Sequence, residues 1–414
     1  MSFVIGIKSK QHSCTIFIRE DQSLLILPTF FSKAIVKTGA VWLRKISEDD
    51  NGFSRPIYEE NEITNTTLIQ IHNRLKTFLN WIVLYSSTLG NNSIDMNRHH
   101  NFPEELLNLY INKHLINEIK CGEHSINQHL LALRSYYDYL AMTGFTNYKN
   151  IQVAPKNKKQ ARANTKPRQA IKYLTPDLRR LLYKNAGSLR NELLLRTGGE
   201  LGLRSKENKG LLLKYFMVGH KSQSGFLSLF TEMQLKPDKM EFKYLLQGKF
   251  TKANKYSGGG KSRLLYIHRT LLERFYRYVE YERPESKENT LLLNDSPGNK
   301  GTSICESSAS RAFTTTKKRI ISLQNLGKTD PNGQKLDVEH SHHTLRHSYG
   351  TDFFYDMCNV KNIAIDDVTP TSQIFLATAK IMGHSAKGKG APETTKAYIR
   401  SCYIKDSFDK GIYD

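Results

Sequence analysis

The chain has 414 residues, 39% apolar and 24% charged, a soluble globular composition too long for one ordinary core. Against 39 Asp and Glu stand 61 Lys and Arg, a formal charge of +22, so a polyanion is the first partner to expect. No run of 18 apolar residues exists to span a membrane, MSFVIGIKSKQHSC lacks a secretory leader's apolar stretch, and five scattered cysteines without a CxxC pair fit a reducing cytoplasm rather than a disulfide scaffold.

Residues 1–62 contain three strand-like pieces, Cys14–Ile18, Leu24–Leu27 and Ala40–Leu43, separated by polar turns. They carry no evident chemistry and predict an accessory N-terminal element. Over 63–153 the pattern turns helical. Leu68, Ile71, Leu75, Phe78, Leu79 and Ile82 recur at helix spacing, as do Ile126, Leu130, Leu133, Tyr137 and Leu140. Ser125 is placed to cap the second stripe and Gly144 to end it. The polar faces carry Arg74, Lys76, Lys113, Lys120 and Arg134, which either line a phosphate backbone or are simply solvated. Residues 154–172 hold seven Lys and Arg, no acid and two prolines, and predict an extended basic linker that tracks nucleic acid. From Tyr173 a second domain, 173–414, begins. Thr175 is its first cap, Pro176 its first helical position, and Leu178, Leu181 and Leu182 its first apolar stripe. It is mostly helical with a strand-rich patch near 241–268. No repeat of fixed period is visible.

The polar residues of this last domain carry the chemistry. Arg204, in TGGELGLRSKENKGL, stands where a Gly-rich turn gives way to a helix, a position suited to a phosphate. In GKFTKANKYSGGGKSRLLYI the three glycines 258–260 read as a hairpin tip set among lysines. A P-loop reading fails, because Lys255 stands where that motif needs its first glycine and a strand comes after it, Leu264 to Ile267. In HSHHTLRHSYGTDFF, His343, Arg346 and His347 share one helix face. A zinc site there lacks the glutamate of H-E-x-x-H and would set an arginine beside the metal. Near the end, His384 follows Gly383 in KIMGHSAKGKGAPETTKAYIR, and Tyr398 follows Thr394 and Thr395.

The ordered set of Arg, a lysine-bearing hairpin, His-x-x-Arg, Gly-His and a C-terminal Tyr resembles the tyrosine recombinase (phage-integrase) family. GLRSKE, HTLRHSYGT and IMGH…TTKAY carry the resemblance, which covers about residues 63–400. It implies a mainly α fold with a small antiparallel β-sheet in the catalytic domain. That domain and the helical core-binding domain 63–153 would form a two-domain C-shaped clamp on DNA. It implies that Arg204 and Arg346 hold the scissile phosphate, that His343 and His384 are the two histidine positions, and that Tyr398 is the nucleophile. Glu207 would orient Arg204, and His347 would be structural. The hairpin is longer than the family's, so the catalytic lysine is Lys255, which best fits a stretched K-x-GGK-x-R pattern, or Lys252, at the expected strand end. The interval from His384 to Tyr398 is also longer than usual, which keeps Tyr403 as a rival nucleophile.

The chemistry of the set agrees with the resemblance. Two arginines and a histidine match the charge that develops on a phosphodiester under attack. A tyrosine forms a phosphotyrosine that conserves bond energy for religation. A lysine protonates the leaving 5′ oxygen, and His343 accepts a hydroxyl proton. No step calls for a cofactor or a metal. The family reading is a site-specific integrase of a mobile element. It would act on double-stranded DNA with inverted-repeat core sites, as a homotetramer on two sites passing through a Holliday junction, with a possible directionality protein. The segment Ile399–Asp414 would dock on a neighbour or on its own domain. The rival readings are a type IB topoisomerase-like nicking and closing enzyme and a catalytically silent DNA-binding relative.

Overall fold

The computed structural model describes residues 4–9, 11, 13–48, 54–88, 94–165, 173–251, 260–330, 333–369, 371–384 and 401–405. The chain forms two compact units, Met1–Pro167 and Arg168–Asp414. Helices predominate, and the sheets among the described residues are two-stranded and antiparallel. No described helix is long and apolar enough to cross a membrane.

The N-terminal unit opens with β1 (Val4–Lys8) paired to β2 (Thr15–Arg19). Then come α1 (Ile26–Thr38) and a hairpin of β3 (Ala40–Glu48) and β4 (Ser54–Glu62), in register from Ala40 opposite Glu62 to Glu48 opposite Ser54. The strand expected at Leu24–Leu27 is not formed. Ile26 opens α1, which buries Phe31 and Ile35 a turn apart and stops where Gly39 takes φ 69°. A short continuous apolar run has no periodicity to separate strand from helix.

Residues 1–62 are not a separate accessory element but part of the helical unit. Val4, Phe17, Phe31, Ile35 and Val41 share one core with α2 (Asn65–Thr88) and α4 (Glu123–Met142) through Ile71, Phe78, Leu133 and Tyr136. Asn80 of α2 pins both backbone groups of Val4, accepting at 2.9 Å and donating at 3.0 Å. The helix expected to start after Ser125 begins earlier, capped by Gly122, while Gly144 takes φ 80° just past its end. Between α2 and α4 lie α3 (Glu104–Leu109) and a wider π-helical stretch, Tyr110–Glu118.

The expected extended linker is largely structured. Asn108 and Asn112, one turn apart, bond the chain alongside as a strand would. Asn108 donates to the Asn150 carbonyl and accepts from Gln152 N–H, and Asn112 does the same with Gln152 and Ala154. Then Pro155, at the first helical position, starts α5 (Pro155–Ala163). Ala161 of α5 is buried, and Lys156, Lys158, Lys159 and Arg162 face solvent. A charge run therefore occupies the outer side of a helix. Residues 166–172 of the expected linker lie outside the described residues.

In the C-terminal unit Thr175 caps α6 (Pro176–Lys184), as the sequence predicts, accepting from Leu178 N–H at 3.3 Å. Helix α7 (Leu189–Glu200) runs through the core and packs on α6 and on four later elements. After it come β5 (Phe216–Val218), β6 (Lys221–Gln223), α8 (Phe226–Leu235), β7 (Glu241–Leu246), β8 (Arg263–His268), α9 (Arg269–Tyr281), α10 (Ser308–Asn325), α11 (His342–Lys361) and α12 (Gln373–Ile381). The strand-rich patch is the β7–β8 pair, with Leu246 opposite Arg263. Glycines let α7 and α11 approach closely. A Cβ on Gly198 would lie 2.8 Å from the His342 ring, so this contact has no room for a side chain. Arg204 just beyond α7 and Arg346 on α11 are brought together this way. Residues 401–405 are helical and dock on the same unit. Cys402 is buried with Phe354 and Cys358, and Lys405 reaches Asp352 at 3.0 Å, where Arg179 and Tyr173 also converge.

Among the described residues of the N-terminal unit, three histidines are buried. His72 lies 2.9 Å from the Thr15 hydroxyl, His99 2.5 Å from that of Tyr136 and His129 3.0 Å from that of Tyr110. Burial pushes each down to about 4. An unfolded histidine titrates near 6.5, so between these values the unfolded chain binds more protons. The stability from keeping them neutral is full above about pH 6.5 and is lost as pH falls towards 4. Both tryptophans, Trp42 and Trp81, lie in this unit, so their fluorescence isolates it. The urea midpoint read by tryptophan fluorescence should fall markedly between pH 7.5 and 5. A flat profile would contradict the burial.

Candidate active site

The site is built around Glu207, whose side chain is fully buried. The chain leaves α7 through Gly202, which adopts φ 61°, and Arg204 then caps the short helical turn Ser205–Gly210. Glu207 is the third residue of that turn. Its Oε2 accepts the Arg204 backbone N–H at 2.9 Å and its Oε1 the Arg204 Nη1 at 2.8 Å. Oε2 also accepts Arg263 Nη2 at 2.9 Å and lies 3.7 Å from Arg346 Nη1. Burial alone would raise this carboxyl, yet Arg263, Arg346 and Arg204 together hold it below the ordinary glutamate value.

The two deeper guanidinium groups are also held by helix ends. The Gly202 carbonyl, just past α7, accepts from Arg346 Nη1 and from Arg263 Nη2. At the end of α12 the Met382 carbonyl accepts from Arg346 Nη2, and the Ile381 carbonyl from Arg263 Nη1. Unsatisfied carbonyls and the negative end of the helix dipole suit a buried cation. Gly202 is required on two counts. Its φ disfavours a side chain, and a Cβ there would lie 2.6 Å from the Tyr349 ring.

His384 comes immediately after. Gly383 turns the chain at φ 62°, its Cα packed on Arg263, and the His384 N–H closes the turn on the Ala379 carbonyl at 2.8 Å. Burial pushes the His384 imidazole down to about 3, helped by the charges of Arg346, Arg204, Arg263 and His343. Both effects favour the neutral imidazole. His343 is exposed in the first turn of α11, its ring near-perpendicular to that of His347 with centres 4.6 Å apart. His342 points inward, 3.1 Å from the Leu194 carbonyl, as a packing residue.

A cavity of about 1090 Å³ opens beside this cluster. Arg204, Glu207, Arg263, His384 and Lys261 lie on its wall with apolar surface from Tyr266, Tyr349 and Phe353. Among the described residues no group of three or more His, Cys, Asp or Glu is placed to hold a metal ion.

Of the residues expected from the sequence, Arg204, Arg346 and His384 converge, with Glu207 between the arginines and His343 close enough to affect His384. Lys252, Lys255 and Tyr398 lie outside the described residues. The rival Tyr403 donates its hydroxyl to Asp366, which raises its pKa. The first described part of the tail, 401–405, packs on its own unit; residues 406–414 lie outside the described residues. Sequence reasoning missed Arg263. Its signal was the alternation of RLLYIH, which puts Arg263 on the same inward face as Leu265 and Ile267.

No family model matches the chain, and no curated protein matches it. Solved structures similar to it are a recombinase and integrases. The Tn1549 transposon integrase in complex with a circular intermediate DNA is 12% identical, at TM-score 0.47 over 92% of this chain and 98% of that one. A lambda integrase dimer bound to a COC′ core site is 12% identical, at TM-score 0.42 over 81% and 89%. XerA recombinase is 13% identical, at TM-score 0.35 over 84% and 93%.

Removing the shared carboxylate leaves buried guanidinium groups uncompensated, which costs about 3–5 kcal/mol when one partner of a buried pair is lost. Glu207→Gln should therefore lower the melting temperature of the C-terminal unit by about 10 °C. A differential scanning calorimetry trace that matches the wild type would show that the carboxylate is dispensable.

Proposed function

We propose that the protein is a tyrosine-type site-specific DNA recombinase, an integrase of a mobile element that cuts and rejoins strands through Tyr398. The observation that carries this reading is that Arg204 and Arg346, far apart in sequence, meet on one buried carboxylate with His384 beside them. Three guanidinium groups against one carboxylate leave surplus positive charge beside a cavity, and Arg204 is partly exposed there. Such fixed donors suit a phosphodiester, whose nonbridging oxygens gain charge under attack.

In this mechanism the Tyr398 oxygen attacks the phosphorus and gives its proton to His343. The bond to the 5′ oxygen breaks, and Lys255 or Lys252 protonates the leaving group. A 3′-phosphotyrosine remains, and the reverse reaction with a new 5′ hydroxyl rejoins the strands. Neutral His384 donates one hydrogen bond to the phosphate. The N-terminal unit supplies further binding to double-stranded DNA, with the basic outer side of α5 set along the backbone. Recombination between two inverted-repeat core sites would use four protomers and a Holliday junction, with a directionality protein as a further partner.

The test uses a library of nicked duplexes with randomised cores in the presence of EDTA, scored for adducts stable to SDS. Wild-type protein should form them and Tyr398→Phe should not. Arg204→Ala should slow adduct formation by about 10²–10³ while its affinity for the selected duplex changes only a few-fold, because many other cations share the binding. Affinity should fall steeply with salt. Absence of any adduct in the wild type would overturn the reading, and relaxation of any supercoiled plasmid would redirect it to a type IB topoisomerase-like enzyme. His384→Asn, which keeps a neutral donor, should retain far more activity than His384→Ala. Equal losses would mean that the imidazole does something other than donate.

A further inference from the structure

We infer that Arg263 is a positioning residue for strand cleavage, the tie that holds the Arg204–Glu207 turn, the His384 turn and the base of the β7–β8 hairpin in one arrangement. The inference rests on the recombinase reading and adds a residue to it.

Arg263 is 8% exposed and is the first residue of β8. Each terminal nitrogen of its guanidinium is engaged by a different part of the site. Nη2 bonds Glu207 Oε2 at 2.9 Å and the Gly202 carbonyl at 3.3 Å, and Nη1 bonds the Ile381 carbonyl. The first pair fixes the turn that presents Arg204. The second fixes the end of α12, three residues before His384. Gly383 lies against the stem of Arg263, where a Cβ would be 3.1 Å from Cδ, so the His384 turn is moulded on this side chain. The backbone of Arg263 pairs opposite Leu246 at the hairpin neck. Beyond it Gly248 and Gly260 close on each other at 3.1 Å, and the hairpin carries both lysine candidates.

These bonds use the fork rather than the charge alone. A planar guanidinium reaches a carboxylate and two carbonyls in divergent directions at once, and a lysine ammonium on a flexible stem does not. The internal bonding also separates Arg263 from Arg204. Both border the cavity, but Arg204 makes its carboxylate bond from Nη1 and is partly exposed there, whereas Arg263 is buried with both terminal nitrogens engaged. Arg263 acts on a phosphate through Arg204, Arg346 and His384.

The experiment compares Arg263→Gln and Arg263→Lys with the wild type as full chains in two readouts. The first is hydrogen exchange of the peptide covering 376–384 without DNA. Exchange should speed up in Arg263→Gln and recover in part in Arg263→Lys. The second is adduct formation on the selected nicked duplex, measured with affinity and across pH. Arg263→Gln should form adduct roughly 100-fold more slowly with affinity within a few-fold of wild type. Its acid limb should move to higher pH, because Arg204, Arg346 and His343 alone then oppose protonation of His384, and Arg204 and Arg346 alone that of Glu207. Arg263→Lys should restore the acid limb but not the rate. If Arg263→Gln loses its far-UV circular dichroism, Arg263→Lys decides by the same split. Unchanged exchange, or a rate within about three-fold of wild type (a difference below 1 kcal/mol), would overturn the inference. No adduct in the wild type with altered exchange in the variants would sink the recombinase reading and reduce Arg263 to a support of the fold.

Discussion

The carboxylate of Glu207 is withdrawn from water and shared by three guanidinium groups, and the arrangement of the C-terminal unit depends on that sharing. Two arginines so close repel, and burying them unpaired costs several kcal/mol each. One carboxylate accepting from Arg204 and Arg263, with Arg346 at 3.7 Å, offsets much of that cost. The carbonyls at the ends of α7 and α12 supply further acceptors. Local geometry must then be right at every step. Gly202 has to be left-handed, the Ser205–Gly210 turn has to bring Glu207 back under Arg204, and α12 has to stop where its last carbonyls face inward.

The same constraint holds the described arginines in place through Glu207 and the helix-end carbonyls. Burial first, and then the surplus of positive charge, explain the neutral His384. An imidazolium beside three guanidinium groups would be strongly disfavoured, and burial pushes the same way. A single negative charge in the cavity would weaken that positive field without reversing it.

Much of the site was legible in the sequence, and the reason is physical. Arg204, Arg346 and His384 sit in short motifs whose neighbours are forced by geometry. Gly202 allows the turn before Arg204, a helix face carries Arg346, and Gly383 allows the turn before His384. Glu207 was read as an orienting partner of Arg204, but its bond to Arg263 joins residues 56 apart and leaves no local signal. The fold was less readable where packing rather than pattern decides. Leu24–Leu27 looked like a strand because a short apolar run carries no period, and α1 is selected by the core it fills with Phe31 and Ile35. The charged run after Ala154 looked extended because it lacks apolar periodicity. Its stretch Pro155–Ala163 is helical, with Ala161 buried, the entering chain held by Asn108 and Asn112, and Asn157 bonded to Asn112.

If Glu207 and the arginines form one coupled unit, a double-mutant cycle reads that coupling. Unfolding free energies of the C-terminal unit would be measured for Glu207→Gln, Arg263→Gln and the double variant. Glu207→Gln leaves Arg263 without its carboxylate and Arg263→Gln removes one of the three cations around Glu207, whereas the double change removes a carboxylate and a guanidinium together. The double variant should lose less than the sum of the singles by at least about 1.5 kcal/mol, within the range of groups in direct contact. Losses that simply add would show that Glu207 and Arg263 act independently, and the shared carboxylate would not be what holds the site.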